Sequence, residues 1–180
     1  MSDTHHTNPL QYTIISSPIG DLLIAAVGAQ VIRVAFQAQG FPQVLDALGN
    51  QFGPAAQHDD ETLIHAAQQF DEYFAGRRQV FKLPLYQYST QSFGRVVQQH
   101  LTTIPYGQTR SYSQLAEQLG KPGAARAVGS ACANNPLPLI QPCHRVVRAD
   151  GSYGQYSGSP ETKSYLLALE RGEKPIATTS

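Results

Sequence analysis

Three β-rich runs, at residues 12–16, 21–27 and 31–36, have Pro18-Ile19-Gly20 between the first pair and Gly28-Ala29-Gln30 between the second. Connections this short cannot hold a crossover, so the runs must pair as an antiparallel meander. Residues 41–52 are weakly helical. Residues 59–74 make a better helix: Asp59, Asp60 and Glu61 suit its N-terminal dipole, and Leu63, Ala66, Ala67 and Phe70 form one stripe. Gly76 stops it. A further strand is expected over 80–85, with Pro84 limiting its pairing. This half shows no convergent polar cluster and reads as structural.

Charge divides the chain. Residues 1–76 carry eight acidic groups against one basic, and residues 77–180 carry twelve basic against five acidic, although the whole is neutral. Such asymmetry fits a polyanion-facing half joined to a solvating half; chance segregation is the plain alternative. No long apolar run exists, and the polar start, with His5 and His6, lacks a signal pattern. A soluble cytoplasmic protein without a membrane span is therefore expected. The two cysteines, Cys132 and Cys143, have no zinc-like spacing, so neither a metal nor a disulfide is expected.

A domain boundary is placed near 84–89, giving an α/β domain over 1–88 and a mostly helical domain over 89–180. The second opens with a helix over 92–103, with Phe93, Val96, Val97 and Leu101 inward, ended by Ile104-Pro105-Tyr106-Gly107. Residues 111–120 form another helix with Ser113 as N-cap and Leu115, Ala116 and Leu119 apolar. Lys121-Pro122-Gly123 then turns into a helix over 124–132, built of small residues around Arg126. Two short helices on a tight turn fit a helix-turn-helix, although an ordinary helical hairpin is common. A strand is expected at 146–148 and a loop at 152–158. The last helix has Ser159 as N-cap and Pro160 at its first position; along it Lys163, Leu166, Leu167 and Glu170 share a face.

Between these elements lies Ile140-Gln141-Pro142-Cys143-His144-Arg145-Val146-Val147. A thiol beside an imidazole and a guanidinium is a candidate activated nucleophile; the plain alternative is a buried cysteine in a short strand. Glu170 prolongs an apolar stripe, which makes it a candidate partner for His144, against an exposed pairing with Lys174. Cys, His and Glu together form a nucleophile–base–orienter set. Three readings stay open: a thiol hydrolase or acyltransferase, a thiol alkyl acceptor working on nucleic acid, and a transcription factor with an incidental cysteine.

Pro142-Cys143-His144-Arg145-Val146, Ala124-Ala125-Arg126-Ala127-Val128-Gly129, Asn135-Pro136, Tyr156-Ser157-Gly158 and Lys163 with Leu166-Leu167 resemble the O6-alkylguanine-DNA alkyltransferases, also called methylated-DNA–protein-cysteine methyltransferases. The likeness runs over roughly residues 90–171. Over the first half it is architectural, to a small ribonuclease-H-like α/β domain. The resemblance implies direct DNA repair by a monomer without cofactor. Duplex DNA would be bound in the minor groove and the alkylated guanine flipped into a pocket. It implies Cys143 as single-use acceptor, His144 as base, Glu170 as its orienter and Tyr112 as proton donor to the guanine. Arg126 would fill the gap left by the flipped base, with Ala124, Ala125, Ser113 and Ser130 at the DNA. Asn135 would brace the cysteine turn beside a pocket formed with Val146, Tyr156 and Ser157. Three departures stand out: Gln98 where the family usually has Trp, Gly158-Ser159 for a glycine pair, and no cysteine before Cys132 for the zinc some members carry.

Overall fold

The protein, seen here as a computed structural model, is described over residues 8–57 and 61–176. Strands β1 (Leu10–Ile15), β2 (Leu22–Val27) and β3 (Gln30–Phe36) form the expected antiparallel meander. A short β4 (Ala56–Gln57) adds parallel to β1, so the sheet order is β3-β2-β1-β4. The central strand β2 is apolar throughout because both faces are covered. Leu22, Ile24 and Ala26 meet Leu63, Ala66, Phe70 and Tyr73 of α2 (Glu61–Phe74). Leu23 and Ala25 join the opposite cluster with Leu48, Val44 and Leu45 of α1 (Phe41–Phe52). Helix α2 begins at Glu61; Asp59 and Asp60, expected in it, lie outside the described residues, as do His5 and His6.

The strand expected over 80–85 does not form. Only Leu85 bridges the sheet, where Val31 N donates to Pro84 O (2.8 Å) and Tyr86 N donates to Val31 O (3.0 Å). Pro84 has no N–H with which to continue a ladder. Upstream, the Gln69 amide replaces a strand partner: its Nε2 donates to Lys82 O (2.9 Å) and its Oε1 accepts from Lys82 N (2.7 Å).

The C-terminal part is helical. Helix α3 (Phe93–His100) is capped by Ser92 and tightens into a 3-10 turn over Leu101–Thr103. Val97 and Leu101 point inward, but Val96, expected there, is 39% exposed. Gln98 is buried instead. Its Nε2 donates to Ala131 O (3.0 Å) and Asn134 O (3.3 Å) at the end of α5 (Ala125–Ala133). The last carbonyls of a helix lack intrahelical donors, so this amide ties α3 to the terminus of α5. Helix α4 (Tyr112–Gln118) starts two residues earlier than a cap at Ser113 would place it. Ser111, not Ser113, is its cap: the Ser111 hydroxyl accepts from Gln114 N (3.1 Å), and Gln114 Oε1 accepts from Ser111 N (2.8 Å). Ser113 already lies inside the first turn and cannot reach those donors.

Helices α4 and α5 pack as the helix-turn-helix, and β5 (Arg110–Ser111) pairs parallel with β6 (Val146–Val147). That strand stops short of Arg148, which is exposed. Helix α6 (Pro160–Glu170) begins at Ser159, whose hydroxyl accepts from Thr162 N (3.1 Å). The result is a small sheet domain followed by a helical domain. The two share one apolar cluster, in which Leu137, Leu139, Ile140, Tyr165 and Leu166 join β2, β3 and α2. Val34 N donates to Pro136 O (2.9 Å), so the edge of β3 holds the connector that leads to Cys143. Among the described residues no helix is long and apolar enough to cross a membrane, no cluster of metal-ligand type occurs, and both cysteines are free.

Candidate active site

Cys143, His144 and Arg145 occupy one 3-10 turn rather than a strand. Pro142 enters it with φ −77° and ψ 72°, Val146 leaves it in extended conformation, and all three residues of the turn are buried. The connector before the turn is stiffened by Asn135: its Nδ2 donates to Gln141 O (2.7 Å), and its Oδ1 accepts from Leu137 N (3.0 Å). A buried amide satisfied on both sides locks the path between α5 and the cysteine.

Glu170 is the centre of the polar network. His144 Nε2 donates to its Oε1 at 2.7 Å. Arg145 donates from Nε to Oε2 (2.8 Å) and from Nη2 to Oε1 (2.9 Å), and its Nη1 donates to Ile104 O (2.6 Å). Gly107 N donates to Oε2 (3.1 Å). Gly107 has φ +77°, and a Cβ there would lie 2.9 Å from the Glu170 carbonyl oxygen, so both conformation and proximity call for glycine. Tyr73, from α2, donates its hydroxyl to Oε1 at 2.7 Å. The alternative Glu170–Lys174 surface pairing is therefore excluded: Glu170 is buried and faces His144.

The electrostatics follow from this packing. Glu170 resists burial, yet its donors from His144 and Arg145 hold its carboxyl well below the usual range. Burial lowers the His144 pKa more than Glu170 raises it, so the imidazole is neutral at neutral pH. Its proton sits on Nε2, which faces a carboxylate, and the buried Nδ1 has no protein hydrogen-bond partner. Nδ1 is thus the nitrogen with a free lone pair. Burial also pushes the Cys143 thiol up, partly offset by the Asn135 amide and the Lys163 charge. Lys163 is fully buried and donates to Val146 O at 2.6 Å.

The Tyr112 ring lies against Gly154 of the 152–158 loop, where any Cβ would collide with its hydroxyl. Burial first, then Cys132 and Cys143, raise its pKa to about 12, so Tyr112 stays protonated. The Tyr156 ring meets Phe36 edge-on at 5.6 Å; its hydroxyl is buried near the thiol without a well-formed hydrogen bond. Val146 is buried and Ser157 half-buried. On α5, Arg126 and Ser130 are exposed, Ala124 and Ala125 half-buried, and Ser113 of α4 exposed. Arg126 makes no salt bridge among the described residues. A cavity of about 870 Å³, lined by Ile19, Phe36, Gly158, Thr162, Tyr165 and Pro175 among others, does not include Cys143 and is not the site.

Sequence reasoning thus brought Cys143, His144 and Glu170 together, but left Arg145 without a role and passed over Tyr73. The first half, which shows no convergent polar cluster in sequence and reads as structural, supplies that tyrosine. Its signal was present: Tyr73 extends the stripe of Leu63, Ala66 and Phe70, and a buried tyrosyl hydroxyl needs a partner.

The chain matches two families in succession: "6-O-methylguanine DNA methyltransferase, ribonuclease-like domain" over residues 10–87, and "6-O-methylguanine DNA methyltransferase, DNA binding domain" over residues 92–172. It belongs to the methylated-DNA–protein-cysteine methyltransferase family. Among its relatives is the constitutive methylated-DNA–protein-cysteine methyltransferase of Bacillus subtilis, 38% identical over 89% of this chain and 94% of that one. That of Mycolicibacterium paratuberculosis is 38% identical over 94% and 98%. The crystal structure of Mycobacterium tuberculosis OGT in complex with DNA superposes with a TM-score of 0.80 and 37% identity, covering 93% of this chain and 96% of the other.

Proposed function

We propose that this protein repairs DNA by moving the alkyl group of O6-alkylguanine irreversibly onto Cys143. The observation that carries the reading is the 2.7 Å contact of His144 with Glu170 directly after a buried cysteine, in a chain of the methylated-DNA–protein-cysteine methyltransferase family. The division into a supporting domain over 1–88 and a DNA-binding, alkyl-accepting domain over 89–180 is part of this proposal. So is action as a cytoplasmic monomer on duplex DNA without a cofactor.

The proposed steps join this geometry to the roles that the family resemblance implies. A thiol only 2% exposed cannot meet a stacked base, so the damaged guanine must be flipped out. Arg126, exposed and unpaired on α5, fills the gap, while Ala124, Ala125, Ser113 and Ser130 approach the duplex. His144 accepts the thiol proton at Nδ1 through a bridging water. The Cys143 sulfur forms a bond to the alkyl carbon as the carbon–O6 bond breaks. Tyr112 protonates the departing guanine, so the proton lost by the thiol is balanced by the one the base gains. Asn135 keeps the cysteine turn in register, and Val146, Tyr156 and Ser157 line the pocket. The thioether has no ready leaving route, so each molecule acts once.

The test is the intact mass of the protein after mixing with duplex containing O6-methylguanine. A gain of one methyl group, absent in Cys143→Ala, is expected. No gain, a gain that survives in Cys143→Ala, or repeated turnover of an ester or amide would overturn the reading.

A further inference from the structure

We infer that Tyr73 is a positioning residue for the thiol-activating base, contributed by the sheet domain to a network otherwise built from the helical one. The inference rests on the alkyl-transfer reading above. Tyr73 is fully buried, donates to Glu170 Oε1 at 2.7 Å and lies 3.5 Å from His144 Nε2. Its own proton is committed to the carboxylate, so the proton between Nε2 and Oε1 must be carried by the imidazole.

The ring cannot turn away. It is held by Phe74 (5.5 Å), Phe81 (5.3 Å) and Tyr106 (6.1 Å), all contacts at ring-packing distance. With Tyr73, Oε1 accepts three donors: His144 Nε2, Arg145 Nη2 and the tyrosyl hydroxyl. Each donor withdraws charge from the carboxylate and weakens its hold on an imidazolium. Tyr73 therefore does two things. It fixes the carboxylate plane that sets the His144 tautomer, and it keeps His144 neutral and able to take a proton at Nδ1.

The other titratable or charged groups around this pair are Arg145 on the same turn, Lys163 on α6, Cys143, Tyr106 and Tyr156. None of them donates to Oε1 from the sheet domain. Arg145 supplies the compensating charge, but its Nε and Nη2 are already bonded to Glu170 and its Nη1 to Ile104 O, so it does not make good the loss of Tyr73.

The test compares wild type with Tyr73→Phe, which keeps the ring and deletes only the hydroxyl. In single-turnover reactions at saturating duplex, the maximal transfer rate should fall about tenfold, a fraction of what loss of a general base costs. The dissociation constant for the duplex should not change. The acid limb of the pH–rate profile should move to higher pH, because Glu170 then holds the imidazolium more strongly. An unchanged rate and an unchanged acid limb would overturn the inference, as would a rate loss matched by an equal loss of DNA binding. Should Tyr73→Phe fail to fold, 15N NMR of His144 in the wild-type protein still decides: the Nε2–H tautomer at neutral pH is expected, and the Nδ1–H tautomer would refute it. If wild type gains no methyl group, the alkyl-transfer reading fails. The His144 titration compared by NMR between wild type and Tyr73→Phe then still reads the effect of Tyr73 separately.

Discussion

Arg145 grips Glu170 with two nitrogens at once, Nε to Oε2 at 2.8 Å and Nη2 to Oε1 at 2.9 Å, with both side chains buried. This fork supplies the positive charge that the buried carboxylate needs, and so relieves His144 of supplying it. Removing one partner of a buried ion pair leaves the other uncompensated. Arg145→Ala should accordingly cost about 3–5 kcal/mol, read as a lower midpoint in urea unfolding. Arg145→Lys should recover only part of that, since an ammonium cannot make the planar two-point contact. Full recovery by lysine would mean that charge alone, not the fork, matters.

Stability should fall as pH drops below the ordinary histidine range. His144 is held neutral in the fold by burial, so the unfolded chain binds its proton first and unfolding is favoured as pH falls through about 6.5. Glu170 acts in the same direction at lower pH. Its folded carboxyl is depressed, so its contribution is intact above the unfolded value of about 4.3 and is lost as pH falls towards the folded one. Thermal midpoints measured from pH 8 to pH 2 should therefore decline in two stages, and His144→Gln should lose the upper stage. A midpoint that rises on acidification would contradict the assignment of a neutral His144.

Tyr112, the proposed proton donor, is held in its protonated form, with its hydroxyl packed against Gly154. Tyr112→Phe should slow methyl transfer by about 10²-fold, the lower end of what a general acid supplies, while duplex affinity stays near wild type. Single-turnover rates beside fluorescence-anisotropy titrations separate the two. A collapse in affinity would assign the ring a purely structural role on α5, where it also meets Gly129.

Arg126 stands exposed among small side chains on α5. Arg126→Ala should slow repair of duplex far more than reaction with a free O6-alkylguanine base, because only the duplex has a gap to fill. Equal losses on both would sink this role. Raising salt should weaken duplex binding through counterion uptake, and a salt-independent affinity would contradict the basic character of the second half.

How much of this was legible follows from the range of each interaction. The meander could be read because its connections are too short for a crossover, and the helix-turn-helix because its tight turn and small residues are local signals, although the cap of α4 is Ser111 and not Ser113. Cys143 and His144 are adjacent, and Glu170 announced itself as a carboxylate on an apolar stripe. Arg145 could not be understood from its neighbours: its partners are Glu170 and the carbonyl of Ile104, which no local period links to it. Tyr73 meets Glu170 across 97 positions. The expected strand at 80–85 failed for a related reason, since the Gln69 side chain, on a preceding helix, took the place of a neighbouring strand. Gln98, which in sequence is only a departure from the family pattern, is a polar tie to the end of α5.

The carboxylate of Glu170 gathers donors from positions 73, 107, 144 and 145, and it sits at the end of the last helix. Seen along the path of synthesis, this means that the thiol leaves the ribosome before the group that arms it. A chain cut short between Cys143 and Glu170 carries the thiol but not the anchor that fixes its base. For a protein proposed to spend its nucleophile in a single event, synthesis of the last helix is also the step that makes it reactive.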